Sequence, residues 1–359
     1  MRKVKVLIAD DSALMRREIK KIMESSGEIE VIGVAKDGRE AVDKAKELEP
    51  DVVALDINMP VMDGLTALQY IMMESPRPVV MISSLTREGA LTTYEALELG
   101  AVDFVAKPGG TISKNMDQIA AEIIFKIRAA ASVNIGRAGR RKKAQPQARP
   151  RPTPARTPRV TTPASPANKI VVIGLSTGGP KSIMDVLPQL PADFGVPVIV
   201  IQHMPGSFTT SFAQRLNSNC AFPFKEAQRA DIIEPNHGYL APGDVHMTLA
   251  PRGAGKPGFM VRLSEQPAET LHKPSVDVTM ESVLECYGGN IIAVLMTGMG
   301  NDGARAMAAI RKAGGRTIAE SEETAVVFGM PAEAIRLGGA EFVLPVQAIA
   351  SKIISLVTS

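Results

Sequence analysis

Three acidic side chains near the amino terminus, Asp10, Asp11 and Asp56, follow or close short apolar runs. If those runs are neighbouring parallel strands, the carboxylates meet at one sheet edge and repel one another unless a cation lies between them. An all-oxygen set of this kind suits Mg2+. Asp56 can then attack a phosphoryl donor and become an acyl phosphate, while Ser83 and Lys107, at the ends of two further apolar runs, bond or neutralise the phosphoryl oxygens. Taken singly, the acids have plainer uses: Asp10 and Asp11 as caps of the first helix, Asp56 as a loop residue. The five positions together favour the phosphoacceptor.

A second chemistry lies further along the chain. Gly174-Leu175-Ser176-Thr177-Gly178-Gly179 follows an apolar run and precedes a helical stretch. Such a turn can cradle phosphate on free backbone N–H groups. However, Pro180 stands where a Walker-type loop needs lysine, and no dinucleotide fingerprint is present. The alternative is a nucleophile elbow exposing Ser176. Of the four histidines, only His203 sits at the end of a parallel-strand pattern; His237, His246 and His272 fall in loop or hairpin sequence and read as surface or locally bonded. Asp302, where the IIAVLM run meets the next helix, is either that helix's N-cap or the acid that orients the imidazole. The neighbouring Gly298, Gly300 and Gly303 argue for close backbone approach. Ser176, His203 and Asp302 thus form a nucleophile, base and orienter set.

Both sets require α/β scaffolds. In the first part, strand patterns at VKVLIA, EVIGVA, VVALD, PVVMIS and VDFVA alternate with helical stretches over 13–25, 38–48, 64–74, 88–99 and 115–132, which predicts a five-stranded parallel sheet with helices on both faces. The second part opens β-α-β with KIVVIGLS and VPVIVIQH. It passes through a Gly- and Pro-rich region over 222–263 that reads as hairpins or an antiparallel edge, and ends with a helix over 302–313. The expected fold is therefore a doubly wound, mainly parallel α/β domain with a small antiparallel region.

The expected divisions are 1–136, a linker over 137–168, and 169–359. The linker holds nine Lys or Arg and seven Pro with no acid or aromatic, so it cannot bury enough apolar area to fold. The flanking parts carry net charges of −4 and −2, so the overall +3 belongs to the linker. That distribution, with no basic helix-turn-helix pattern, argues against a nucleic-acid partner. No apolar run is long enough to span a bilayer, and the start reads as a buried strand, not a secretory signal. Two distant cysteines, Cys220 and Cys286, point to a reducing cytoplasm.

Residues 1–125 resemble a two-component response-regulator receiver domain, through IADDS, LDINMPVMDG, MISS and FVAKP. The resemblance implies a flavodoxin-like fold, Mg2+ held by Asp10, Asp11 and Asp56, and phosphorylation of Asp56 by a histidine kinase, with Ser83 as switch hydroxyl and Phe104 as switch aromatic. From about 168 to 355 the chain resembles the catalytic domain of the bacterial chemotaxis protein-glutamate methylesterases, through IGLSTGGP, IVIQHMP, YLAPGDVHM, VLMTGMGNDGA and ETAVVFGMP. Its Ser…His…Asp order differs from that of the α/β-hydrolases. This second resemblance implies hydrolysis of glutamate methyl esters on chemoreceptors, deamidation of receptor glutamines, and no cofactor for the ester chemistry. It also implies an oxyanion hole from the backbone N–H groups of Thr177 and Met299 and an unphosphorylated receiver packed over the cleft; the chain is expected to be a monomer.

Overall fold

The computed structural model describes residues 2–83, 87–107, 116–133, 169–253 and 256–358. The expected linker over 137–168 lies outside the described residues. Val- and Ile-rich runs form β1 (Val4–Ala9), β2 (Ile29–Ala35), β3 (Val52–Asp56), β4 (Val79–Ser83) and β5 (Asp103–Ala106), all parallel in the order β2-β1-β3-β4-β5. Helices α1 (Ala13–Ser25), α2 (Gly38–Leu48), α3 (Gly64–Glu74) and α4 (Arg87–Leu99) make the crossovers, and α5 (Met116–Ala131) follows the last strand. Alternate residues serve opposite faces: Val6 and Ile8 pack with Ile19, Met23, Ile123 and Ile127 of α1 and α5, whereas Leu7 and Ala9 pack with α2 and α3. Asp37 accepts from Glu40 N–H and Asp63 from Thr66 N–H, each at 2.9 Å, which fixes the starts of α2 and α3. The cap of α1 is Ser12, which accepts from Met15 N–H, leaving Asp10 and Asp11 to other work.

The second domain has a seven-stranded sheet built around β6 (Ile170–Leu175) and β7 (Val198–Gln202). After β6 come a single turn, α6 (Gly179–Ser182), and two short 3-10 turns; after β7 comes α7 (Gly206–Asn219). Next follow β8 (Phe224–Glu226), β9 (Gly238–Leu240), β10 (His246–Pro251), β11 (Phe259–Ser264) and α8 (Val276–Tyr287). The chain ends with β12 (Ile291–Leu295), α9 (Ala304–Lys312), β13 (Arg316–Glu320), α10 (Met330–Arg336), β14 (Phe342–Leu344) and α11 (Val346–Thr358). The sheet order is β14-β13-β12-β6-β7-β9-β8, every pair parallel. The hairpin expected within 222–263 is β10–β11, a separate antiparallel pair, but β8 and β9 join the main sheet in parallel. Both strands are only three residues long, too short for a side-chain alternation to reveal their direction.

The two domains share an apolar contact. Phe104 of β5 lies 4.6 Å from Phe208 of α7 between ring centroids, and Tyr94 of α4 stacks on Phe212 at 5.6 Å. The Tyr94 hydroxyl donates to Phe208 O at 2.8 Å, and Arg215 pairs with Glu98. Phe104 and Tyr94 are buried, so the aromatic at the end of the receiver sheet is covered by the second domain.

Candidate active site

Hydrogen bonds extend the second sheet past its strand ends and set the site. Ser176 N–H donates to Thr297 O at 2.9 Å, and His203 N–H to Leu175 O at 3.1 Å. The segments after β6, β7 and β12 therefore lie side by side at the carboxyl edge, which brings Ser176, His203 and Asp302 together. Gly298 packs so closely that a Cβ there would meet the Ser176 Cβ at 2.7 Å and Met330 Sδ at 2.3 Å. Gly303 likewise abuts Val276, whereas Gly300 faces open space and serves its positive φ of 88°.

His203 Nε2 lies 2.8 Å from Asp302 Oδ2. The same carboxylate accepts from Ser275 Oγ at 2.8 Å, from Val276 N–H at 2.7 Å and from Asp277 N–H at 3.0 Å. Val276 and Asp277 open α8, so Asp302 binds the positive end of that helix and not of α9, whose cap is Gly303 without a side-chain bond. Burial works against the ionised carboxyl, but the His203 bond and the two amides outweigh it and hold Asp302 below the ordinary carboxylate value. Because the folded chain binds this proton less tightly than the unfolded one, the carboxylate stabilises the fold above the ordinary value of 3.8 and loses that contribution as the pH falls further.

An ionised Asp302 only accepts, so the His203 proton sits on Nε2 and Nδ1 is left bare. Nδ1 is buried and has no hydrogen-bond partner. Neither Thr177 N–H nor Met299 N–H donates a hydrogen bond among the described residues. Thus one sheet edge holds a hydroxyl, a bare imidazole nitrogen backed by a carboxylate, and two uncommitted amides.

Several supporting residues escaped the sequence reading. Gln202 Nε2 donates to Ser176 O and His203 O, at 2.9 and 3.1 Å, and so fixes both backbones. Glu320, fully buried, accepts from Thr297 N–H at 2.9 Å, and the Thr297 hydroxyl donates to Thr177 O at 2.8 Å. His246 is buried and locally bonded, with Nδ1 accepting Ser275 N–H at 3.2 Å. His272 is half-buried and more than locally bonded: its ring stacks on His203 with centroids 4.0 Å apart. A strand-end alignment marks Gln202 as a neighbour of His203, but nothing local marks the other four.

At the receiver edge, one oxygen each of Asp10, Asp11 and Asp56 lie within 4.8 Å of one another. Lys107 Nζ stands 2.7 Å from Asp56 Oδ2 and 3.0 Å from Asp10 Oδ2. Burial raises the Asp56 pKa above its ordinary value despite that ammonium, and Asp56 Oδ1 is buried without a partner. Burial opposes the charge on Lys107 too, but its hydrogen bonds to Asp56 and Asp10 prevail and raise its pKa. Three hard oxygen donors and an orphaned carboxylate oxygen fit a divalent cation such as Mg2+. Ser83 is buried and accepts from Thr93 Oγ1 at 2.9 Å, the residue beside Tyr94 on α4.

A five-stranded receiver lying against a parallel α/β domain with a serine, histidine and aspartate at one edge defines a response regulator with an enzymatic output. Comparisons with known proteins make this specific. Residues 6–117 match the response regulator receiver domain, and residues 171–353 match the family described as CheB methylesterase. The protein-glutamate methylesterase/protein-glutamine glutaminase of Caldanaerobacter subterraneus is 53% identical over 97% of this chain and 95% of its own length. A second protein of that name, from Carboxydothermus hydrogenoformans, is 52% identical over 99% of this chain and 100% of its own. The crystal structure of the Thermotoga maritima CheB methylesterase catalytic domain, 42% identical, aligns with a TM-score of 0.50 over 52% of this chain and 98% of that one. The chain belongs to the CheB methylesterase family and carries its receiver domain. Among the described residues no helix is long and apolar enough to cross a membrane.

Proposed function

We propose that the chain is a phosphorylation-activated serine esterase that hydrolyses glutamate 5-methyl esters on chemoreceptors and deamidates receptor glutamines. The observation that carries the reading is the His203–Asp302 bond at 2.8 Å with Nδ1 left bare beside the Ser176 segment. His203 Nδ1 takes the Ser176 proton as Oγ bonds to the γ-carbonyl carbon, and the carbonyl electron pair moves to oxygen. Thr177 and Met299 N–H donate to that oxyanion, each such donor contributing about 3 kcal/mol of barrier lowering. Asp302 steadies the imidazolium at Nε2. Collapse breaks the bond to the methoxy oxygen, which leaves as methanol with the proton from Nδ1. Water, deprotonated by Nδ1, then releases glutamate and returns the proton to Ser176; with glutamine the departing group is ammonia.

In the receiver, Asp10, Asp11 and Asp56 hold Mg2+, and Asp56 is the phosphoacceptor. The metal, when bound, offsets the repulsion among these carboxylates and the incoming phosphoryl oxygens. Ser83 then turns from Thr93 toward the phosphoryl group, which loosens α4 and the aromatic contact made by Tyr94 and Phe104. The domains divide at 1–136, 137–168 and 169–359. A histidine kinase supplies the phosphoryl group, methylated receptor domains are the substrate, and the chain works as a cytoplasmic monomer.

The test is mass spectrometry of a receptor fragment bearing methylated glutamates and glutamines. Expected is loss of the methyl mass at the esters and conversion of glutamine to glutamate, both faster with a small phosphodonor. An unchanged fragment would contradict the reading. Tyr94→Phe should remove one bond to Phe208 O, weaken docking by about 1 kcal/mol and raise the resting rate about fivefold. A resting rate equal to wild type in steady-state assays would contradict that role.

A further inference from the structure

The segment between β11 and α8 forms a strap over His203. It is pinned by His246, whose Nε2 lies 3.0 Å from Thr270 Oγ1 and 3.1 Å from Pro267 O, and by Ser275, which bonds Asp302. From this strap the His272 ring lies on the His203 ring, 19° from parallel. Phe125 of α5, from the receiver, meets His272 nearly edge-on, with centroids 4.9 Å apart at 67°. Burial, with His203 and Lys126 nearby, pushes the His272 pKa well down against the opposing pull of Asp302. The ring is therefore neutral, and a neutral ring can cover His203 without opposing the imidazolium that forms in turnover.

One hydrogen bond at Nε2 fixes the direction of an imidazole but not its plane, and the plane decides where the bare Nδ1 points. The geometry points to His272 as a positioning residue that sets the plane of His203, and to the Phe125–His272 contact as the receiver's direct hold on the Ser176 base. This rests on the esterase reading for its kinetic consequence, but the stacking itself can be observed without turnover. It adds to simple covering of the cleft: the receiver also bears on the ring that must receive the Ser176 proton.

The experiment uses the full chain and its His272→Ala, His272→Phe and Phe125→Ala variants, each assayed for methanol release from methylated receptor. Each is also examined by NMR for the low-field His203 Nε2–H resonance. Expected for His272→Ala is a kcat lower by about tenfold or more with KM little changed, since small misplacements of a reacting group are costly, and a broadened resonance. His272→Phe restores most of both, because a flat ring remains. Phe125→Ala shifts the resonance in the unphosphorylated chain. A His272→Ala variant that matches wild type, or changes KM alone, overturns the positioning role, as does a His272→Phe variant no better than alanine. An unmoved resonance in Phe125→Ala overturns the receiver's hold. If the esterase reading itself fails, the wild-type chain releases no methanol while the histidine resonances remain readable.

Discussion

Asp302→Asn lowers ester hydrolysis by about 10⁴-fold at neutral pH. Four donors converge on the Asp302 carboxylate: His203 Nε2, Ser275 Oγ and the amides of Val276 and Asp277. An asparagine offers one acceptor oxygen and one NH2. If the oxygen takes the Oδ1 place, on Ser275 and Asp277, the NH2 faces the Val276 N–H and His203 and drives the imidazole proton to Nδ1, the nitrogen that must be bare to accept from Ser176. If the oxygen takes the Oδ2 place, it keeps His203 and the Val276 N–H, but the NH2 opposes the Asp277 N–H and the helix start loses its anion, at about 1 kcal/mol. Initial rates, with thermal unfolding as a check on folding, decide the matter. A loss below tenfold would show that His203 keeps its working tautomer without Asp302. The same variant checks the pH argument: its deficit in unfolding midpoint against wild type should narrow as the pH falls below the ordinary carboxylate value of 3.8.

Asp56→Asn removes activation. In the wild-type chain a phosphodonor is expected to raise the esterase rate about 10–100-fold, as a switch shifts a two-state docking equilibrium by a few kcal/mol. In the variant the ratio of rates with and without phosphodonor falls to about one. The physical route runs from Asp56 and Lys107 through Ser83 to Thr93 and Tyr94, and from there to the Phe208 carbonyl on the helix that follows His203. Undiminished stimulation of Asp56→Asn would move the phosphoacceptor elsewhere.

The receiver was legible in the sequence almost residue by residue. Its strands are buried apolar runs and its helices are amphipathic, so local pattern and tertiary role agree; the helix expected over 64–74 is Gly64–Glu74, with Asp63 as cap. The carboxyl-edge residues were legible for the same reason, since strand ends in a parallel sheet share one edge. What stayed hidden depends on distant partners. Asp302 reads locally as a cap for the helix after it, yet it caps the start of α8, some 25 residues earlier. Phe104 reads as a switch aromatic through the resemblance alone, and nothing local shows that its ring is buried against Phe208 of the other domain. His272 sits in loop sequence with no periodicity, and only the fold lays it on His203. The parallel strands β8 and β9 are three residues each, shorter than any period can register.

The central claim is that Ser176 is the nucleophile of an ester hydrolysis switched by the receiver. Methanol release from methylated chemoreceptor, measured for the full chain and for Ser176→Ala with and without phosphodonor, tests it most directly. The account predicts release that rises on phosphorylation in the wild type and a fall of about 10⁶-fold, to background, in Ser176→Ala under both conditions. Methanol release by Ser176→Ala at a rate near that of the wild type would contradict it.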